Sequence, residues 1–206
     1  MTTKTLNISE EQLVDYSKAH NEPSWMTELR KKALKLTETL EMPKPDKTKL
    51  RKWDFDTFKQ HHTTGDAYTQ LTDLPKSVKE IIDVENSENL IIQHNNELAY
   101  TQVSDQAKHD GVIIEGLSEA LVNHSDLVQK YFMTKAVDVD EHRLTALHTA
   151  LVNGGIFVYV PKNTVVEHPI QYVVLHDDEQ ASFYNHVIIV TEESAEVTYV
   201  ENYLST

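Results

Sequence analysis

The stretch Ala146–Ile170, ALHTALVNGGIFVYVPKNTVVEHPI, decides the fold because its hydrophobic period changes in the middle. Its first part continues a pattern of apolar residues at helical spacing: Leu144, Leu147, Leu151 and Val152. Gly154 and Gly155 are predicted to end this helix, since glycine adopts the left-handed conformation of a helix C-terminus without steric penalty. From Ile156 the pattern is that of a strand, which Pro161 closes because proline lacks a backbone donor.

Only strands are predicted after this helix, with turn-like segments between them. The four strand candidates are Ile156–Val160, Ile170–Leu175, Ser182–Val190 and Ala195–Leu204. Both faces of these strands carry apolar residues, as expected when one face meets a core and the other meets a neighbouring domain. The pattern alone fits two folds equally well: the first layers of a β-stack that stops at residue 206, or part of an antiparallel sandwich.

The region before residue 154 is predicted to be helical with a small sheet. Ser9 is suited to cap a first helix. A second helix is expected to expose Arg30 and the neighbouring lysines, and to turn one apolar stripe toward the core. That stripe contains Trp25, Leu29, Ala33, Leu36 and Leu40. Asn89–Val103 has the pattern of a hairpin whose turn contains Asn95 and Asn96. We therefore expect two domains, residues 1–153 and residues 154–206.

Aromatic residues interrupt a polar segment that runs from Lys44 to Thr72 and resembles a linker. The cluster from Trp53 to Phe58 is expected to anchor this segment to a core. Together with Trp25, these aromatic side chains could also form a surface for a partner, but core packing is the commoner role of large aromatic residues.

The composition excludes several classes of protein. The chain of 206 residues has 33 acidic and 19 basic side chains, a formal charge of −14, which repels nucleic acids and anionic membrane surfaces. There is no cysteine, so disulfides and thiolate ligation of a metal are absent. No apolar run is long enough to span a membrane and the N-terminus is too polar for a secretory signal, so a cytoplasmic location is predicted.

Histidine is the residue type that most suggests chemistry, since eleven are present and histidine binds metals and carries protons. His168, His176 and His186 lie in or beside the predicted strands and could meet only through the fold. They define an alternative hypothesis, a small metal-dependent hydrolase or lyase. Ordinary surface or hydrogen-bonded histidines are favoured, because no zinc-ligand spacing is present.

The other catalytic signatures are weak or absent. Glu201 alternates with Val197 and Tyr199 on one strand face, where a buried carboxylate would need a partner, but a solvated position at the strand end is favoured. The sequence has neither a P-loop nor a G-x-S-x-G elbow, and it offers no cysteine nucleophile. A non-enzyme is therefore predicted, with no catalytic or metal-binding residue assigned.

Several segments together resemble the family of SufB and SufD, the scaffold proteins of iron–sulfur cluster assembly by the SUF system. In order they are EPSWMTELRKKAL (Glu22–Leu34), LRKWDF (Leu50–Phe55), Gly-Gly followed by FVYVPK and VVEHPI, and AEVTYVENY (Ala195–Tyr203). The form LRKWDF resembles the SufD branch more closely. The resemblance covers nearly the whole chain, while family members are about twice as long.

This resemblance implies an α+β fold: an N-terminal helical domain with a small sheet, then the first rungs of a right-handed parallel β-helix. It also implies a scaffold that works with a SufB-like paralogue and a SufC-like ATPase, the ATPase contacting a C-terminal part that this chain lacks. No cofactor is expected on these residues, because the whole complex handles the iron–sulfur cluster. Structural roles are expected for the family-typical residues Trp25, Trp53, Gly154, Gly155, Tyr159, Pro161, Pro169 and Glu201. The open β edge of a truncated stack is expected to self-associate.

Overall fold

The computed structural model describes residues 6–55, 57 and 59–205. In this part the α-helices are α1 (Glu10–Ala19), α2 (Ser24–Thr39), α3 (Lys76–Lys79), α4 (Asp105–His109), α5 (Leu117–Asn123), α6 (Ser125–Tyr131) and α7 (Arg143–Leu151). The strands are β1 (Asn89–His94), β2 (Glu97–Gln102), β3 (Ile113–Gly116), β4 (Gly154–Val160), β5 (Ile170–His176), β6 (Asn185–Thr191) and β7 (Tyr199–Ser205). No helix within the described ranges is both long and apolar enough to cross a bilayer.

The chain forms two compact units. The helical unit comprises the described residues of Met1–His61 together with Leu121–Val152, and the strand unit comprises His62–Ala120 and Asn153–Thr206 without its last residue. Residues 62–120 thus belong with the late strands, although they were predicted to belong with the N-terminal helices in residues 1–153. The physical reason is strand pairing, because β1 pairs with β5 and β3 pairs with β4.

The first helix begins as predicted. The Ser9 hydroxyl accepts a hydrogen bond from the Gln12 backbone N–H at 3.2 Å, and the Gln12 side chain accepts one from the Ser9 N–H at 2.8 Å. This reciprocal capping box satisfies two N–H groups that would otherwise lack partners at the helix start. The helix buries Leu13 and Tyr16 within the helical unit.

The second helix buries a face that only partly overlaps the predicted one. Its buried side chains are Met26, Arg30, Ala33 and Thr37, while Trp25, Leu29 and Leu36 are half-buried. Ala33 is buried as predicted, whereas the other buried positions are the neighbours of predicted ones, so the buried face is rotated from the predicted stripe by less than the ~100° of one residue. Arg30 is only 1% exposed because the Glu22 carboxylate accepts its Nε–H at 2.8 Å and the Ala150 carbonyl accepts its Nη1–H at 2.9 Å.

The aromatic residues considered as anchors or as a partner surface differ in burial. Trp25, on α2, is half-buried and donates its indole N–H to the Ser125 hydroxyl at 2.9 Å within the helical unit. Trp53 is 65% exposed, so the predicted anchoring role is wrong for this residue. Phe58, which was predicted to share that role, lies outside the described residues. An apolar side chain in a polar segment did not indicate burial here.

The two glycines of the deciding stretch do not end a helix. Helix α7 ends at Leu151, capped by Val152, and Gly154 begins β4. Gly155 has φ of 128°, and a Cβ there would overlap the His186 carbonyl oxygen of the neighbouring strand. The prediction of a glycine helix end is therefore wrong. Glycine is needed because two strand backbones approach too closely for any side chain.

The strand unit contains two sheets, in the orders β2-β1-β5-β7 and β3-β4-β6. The predicted hairpin is confirmed, since β1 and β2 pair antiparallel and Asn95 in their turn has φ of 54°. All four predicted late strands are also present, with shifted ends. A core of apolar residues from both sheets lies between them, and includes Ile91, Ile114, Ile156 and Val174.

The late strands alternate between the sheets and pair in parallel. Strand β4 pairs with β6, where Gly154 lies opposite Asn185, and β5 pairs with β7, where Ile170 lies opposite Tyr199. The alternative of an antiparallel sandwich is therefore wrong for these strands. A parallel β-helix stays a prediction.

Candidate assembly interface

The last two strands leave one end of the strand unit uncovered. Strand β6 is the outermost strand of one sheet and β7 is the outermost strand of the other, among the described residues. Apolar side chains on them are exposed: Ile189 by 39%, Val200 by 41% and Tyr203 by 53%. An edge strand carries backbone donors and acceptors that can pair with another strand. This end is therefore suited to association.

A polar cluster lies between the sheets beside this end. Gln93 of β1 is 3% exposed, and its side-chain oxygen accepts hydrogen bonds from the Gly155 N–H at 2.9 Å and the Tyr172 hydroxyl at 2.6 Å. The Tyr172 oxygen lies 2.9 Å from Asn185 Oδ1 on β6. The Asn185 amide in turn donates to the Tyr203 hydroxyl on β7 at 2.8 Å. The cluster thus connects strands of both sheets.

The regular alternation of β1 positions Gln93. The pairing register of β1 and β2 shifts between Ile92 and Gln93, but the extra residue is Ala99 of β2, so β1 keeps its alternation of faces. Gln93 shares the inner face of the sheet with Ile91, which belongs to the apolar core. A polar side chain on that face must find partners in the protein, and the Gly155 N–H and Tyr172 hydroxyl are those partners.

Glu201 lies at the exposed margin of this cluster. It is exposed, as predicted, and its carboxylate accepts a hydrogen bond from the Tyr199 hydroxyl at 2.6 Å. Burial raises the pKa of Tyr203 to about 12, and the neighbouring Glu201 carboxylate contributes to this rise. The same two causes raise the pKa of Tyr199. Both tyrosines therefore stay neutral hydrogen-bond donors near pH ~7. The Glu201 carboxylate beside them is an anionic acceptor on the inner face of the edge strand β7.

This arrangement is suited to recognition and not to covalent chemistry. Amides, phenols and one carboxylate supply hydrogen bonds and a negative charge, but none is activated as a nucleophile. Any segment that covers the end would have to satisfy Glu201 with a donor or a cation, because an unpaired buried charge is costly. Of these residues, the sequence pattern singled out Glu201 but not Gln93 or Tyr172. A polar residue within an apolar strand pattern was the signal for both.

The three histidines of the enzyme hypothesis do not meet. His168 precedes β5 and His176 ends it, and a strand of seven residues separates them by roughly 20 Å. His186 lies on β6, in the other sheet. Within the described residues, none of the three belongs to a group of three side chains able to hold a metal ion. The geometry gives the hydrolase or lyase hypothesis no site.

His94 and Asp177 form a pair that resembles part of a catalytic triad. The His94 Nδ1 accepts the Asp66 backbone N–H at 2.8 Å, so its Nε2 carries the proton and donates to Asp177 at 2.9 Å. Burial alone would raise the pKa of Asp177, but hydrogen bonds from His94 and Asn95 outweigh it and hold the pKa below its usual value. Both ring nitrogens of His94 are thus held by hydrogen bonds, and the pair fixes the end of β1.

Comparisons with known proteins assign the chain to a family. A family model described as the SufBD protein N-terminal region matches residues 9–172. The chain therefore belongs to the SufBD family. It is 48% identical to the iron–sulfur cluster assembly protein SufD of Bacillus subtilis, over 98% of this chain and 46% of that protein. The predicted resemblance to the N-terminal half of SufD is thereby confirmed.

More distant relatives align with a similar share of this chain and of their own length. Identity is 28% to an iron–sulfur cluster assembly SufBD family protein of Staphylococcus epidermidis, over 94% of this chain and 43% of that protein. Identity is 29% to a SufBD family protein of Pyrococcus horikoshii, over 95% of this chain and 45% of that protein. The chain thus spans a little less than half the length of these curated relatives.

Proposed function

We propose that this chain acts in iron–sulfur cluster assembly as the N-terminal part of a non-catalytic scaffold subunit of the SUF system. Family membership supports the process, because the relatives carry that role in their names. The observation that carries the scaffold role is the strand unit, whose outermost strands β6 and β7 present open edges and exposed apolar side chains. No catalytic residue and no resident cofactor are part of the proposal.

The strand unit is proposed to be the first part of a parallel β-helix. Two features support this: the late strands alternate between two sheets, and β6 and β7 each pair in parallel with the strand two before it in the chain. A parallel bridge between Val165 and Glu196 continues this pairing outside the strands. Such a solenoid can extend by adding strands to both edges.

The proposed partners are a SufB-like paralogue and a SufC-like ATPase. Both are proposed to bind parts of the family's fold that lie outside the residues described here. A second copy of this chain is proposed to bind the open edges when no further strands cover them. The iron–sulfur cluster is the cargo of the assembled complex.

Depletion of the protein from its cells tests the proposed process. Aconitase and other iron–sulfur enzymes are expected to lose activity while the amounts of their polypeptides stay constant, and iron with sulfide should restore activity in extracts. Unchanged aconitase activity after depletion, with the protein verified as absent, would overturn the role in cluster assembly. Complementation with a wild-type copy serves as the control.

Analytical ultracentrifugation tests the open edges. We expect the purified chain to sediment as a dimer or larger species at high concentration. Lysine at Ile189 and Val200 should restore a monomer, because lysine on an edge strand opposes pairing. Val84→Lys is the matched control, since Val84 is 57% exposed and lies outside both edge strands. A wild-type monomer, or a variant that still dimerises, would contradict the edge proposal without affecting the depletion result.

A further inference from the structure

The segment from Lys44 to Lys59 differs in charge from the rest of the chain. It holds six basic and three acidic residues, whereas the other residues hold 13 basic and 30 acidic side chains. Lys47, Lys49 and Lys52 are exposed, and none of them forms an ion pair with another described residue. These lysines are not neutralised by a described acidic side chain, so their three positive charges are available to attract an acidic partner.

The same segment displays the most exposed large apolar side chain of the described residues, Trp53 at 65%. The Trp53 ring stacks on the Phe55 ring, with centroids 6.0 Å apart and planes 15° from parallel. Asp54, between them in the chain, has a carboxylate that accepts hydrogen bonds from the Thr57 N–H at 3.2 Å and the Thr57 hydroxyl at 2.8 Å. The aromatic pair is therefore formed before any partner binds, which lowers the entropic cost of binding.

We propose that Trp53, Phe55, Lys47, Lys49 and Lys52 form a docking patch for a partner protein whose surface presents carboxylates around an apolar slot. Tryptophan in an apolar slot is among the commonest anchors of protein interfaces, and charges at the margin steer and orient the partner. Charge complementarity selects an acidic partner. A protein surface is favoured over nucleic acid or membrane, because those extended polyanions would also meet the rest of a chain with a formal charge of −14.

The first test uses a synthetic 20-residue helical peptide of glutamate and leucine as the probe. The whole chain is titrated with it while tryptophan fluorescence is recorded, in a Trp25→Phe background where Trp53 is the sole tryptophan. We expect the emission of Trp53 to shift to shorter wavelength and acrylamide quenching to fall on binding. Poly-glutamate without leucine should bind at least ten-fold more weakly, since it lacks the apolar component.

Two variants and one matched control locate the binding. Trp53→Ala, measured by calorimetry in the wild-type background, should weaken peptide binding at least ten-fold. The triple variant of Lys47, Lys49 and Lys52 to glutamate should do the same. The control exchanges Lys32, Lys79 and Lys135 for glutamate, which are also exposed and give the same charge change. It should alter binding less than three-fold.

The remaining outcomes overturn the proposal. No peptide binding at low salt would do so, as would equal losses in the triple variant and its matched control. Tighter binding to phosphatidylglycerol vesicles or to a 20-nucleotide DNA strand would assign the patch to a membrane or to nucleic acid instead. None of these measurements involves cluster assembly, so their outcome is independent of the proposed function.

Discussion

The two units hold their buried polar groups in different ways. The helical unit buries an ion pair, Arg30 with Glu22, and the strand unit buries a neutral cluster around Gln93 and Tyr172. An ion pair in a low dielectric is costly to break from one side, because the remaining charge has no solvent. A neutral hydrogen bond contributes less and its loss costs less. The helical unit should therefore be more sensitive to single substitutions of its polar core.

The charged core of the helical unit and the neutral core of the strand unit should also respond differently to pH. Burial alone would raise the pKa of Glu22, but the Arg30 charge and hydrogen bonds from Arg30 and Ser17 outweigh it and hold the pKa below its usual value. Burial lowers the pKa of His148 to about 4, and the Arg30 charge adds to this. In the strand unit, burial raises the pKa of Tyr172 well above its usual value. Acid should thus destabilise the helical unit more than the strand unit, where the lowered pKa belongs to the partly exposed Asp177, and alkali should destabilise the strand unit.

The largest effect is expected for Arg30→Met, which keeps much of the side-chain volume but leaves Glu22 buried without a cation. The free energy of unfolding should fall by about 3 to 5 kcal/mol. Urea denaturation measures this change, and hydrogen exchange shows whether it is confined to the helical unit. The double variant with Glu22→Gln should recover a large part of the loss, while Lys32→Met on the exposed face of α2 should have almost no effect. Equal losses for Arg30→Met and the double variant would mean that Arg30 contributes only packing.

Acidification should produce the next effect. A depressed folded-state pKa stabilises the protein above the unfolded pKa, and this stabilisation is lost as pH falls. For His148 the window runs from the usual pKa of 6.5 down to about 4, corresponding to about 3 kcal/mol. Glu22 extends the loss to lower pH in the same direction.

His148→Gln isolates the histidine contribution to this acid effect. The variant should show a shallower loss of stability between pH 6.5 and pH 4 than the wild type when urea midpoints are compared. His109→Gln is a suitable control because His109 is exposed. Parallel curves for the wild type and His148→Gln would show that His148 does not couple protonation to folding.

Gly155→Ala tests the close strand approach in the strand unit. Its φ of 128° and the overlap of a Cβ with a backbone oxygen should together cost about 2 to 3 kcal/mol. Gly111→Ala is the matched control, since Gly111 has φ of 74° but its nearest contact is a relaxed 3.7 Å. It should cost only about 1 kcal/mol, the strain of the backbone alone. Similar thermal shifts for both variants would mean that β4 and β6 can separate to admit a methyl group.

The glycines of β4 show how far the sequence predicts the fold. The positions of the late strands followed from alternation and turn residues, because such signals are local. The partners of the strands did not, since β4 pairs with β6 although β5 lies between them in the chain, and no local pattern specifies parallel pairing. Gly154 and Gly155 therefore resembled a helix end. Their actual role is set by the backbone of β6, the second strand after β4 in the chain, which lies close beside them.

The individual polar residues divide in the same way. Exposure of Glu201 was predicted, but the reason differs: Glu201 lies within β7 and not at a strand end, and it is exposed because β7 is the edge strand of its sheet. The burial of Arg30 was not, since its partner carbonyl, Ala150, lies 120 residues away in the chain. Gln93 and Tyr172 bond across 79 residues, so neither could be recognised as part of a cluster from its own segment.

The smallest effect is expected for Tyr172→Phe, at about 1 kcal/mol. Gln93 keeps the Gly155 N–H as a donor, so its oxygen is not left alone. A raised folded-state pKa stabilises the protein below pH ~10, and this stabilisation is lost as pH rises. The variant should therefore lose less stability than the wild type above pH ~10, although Tyr199 and Tyr203 preserve part of the slope. Tyr100→Phe is the control, since its hydroxyl bonds Gln102 in a less buried place. A loss of about 3 kcal/mol or more for Tyr172→Phe would erase the contrast between the charged and neutral cores, because a neutral hydroxyl would then matter as much as a buried ion.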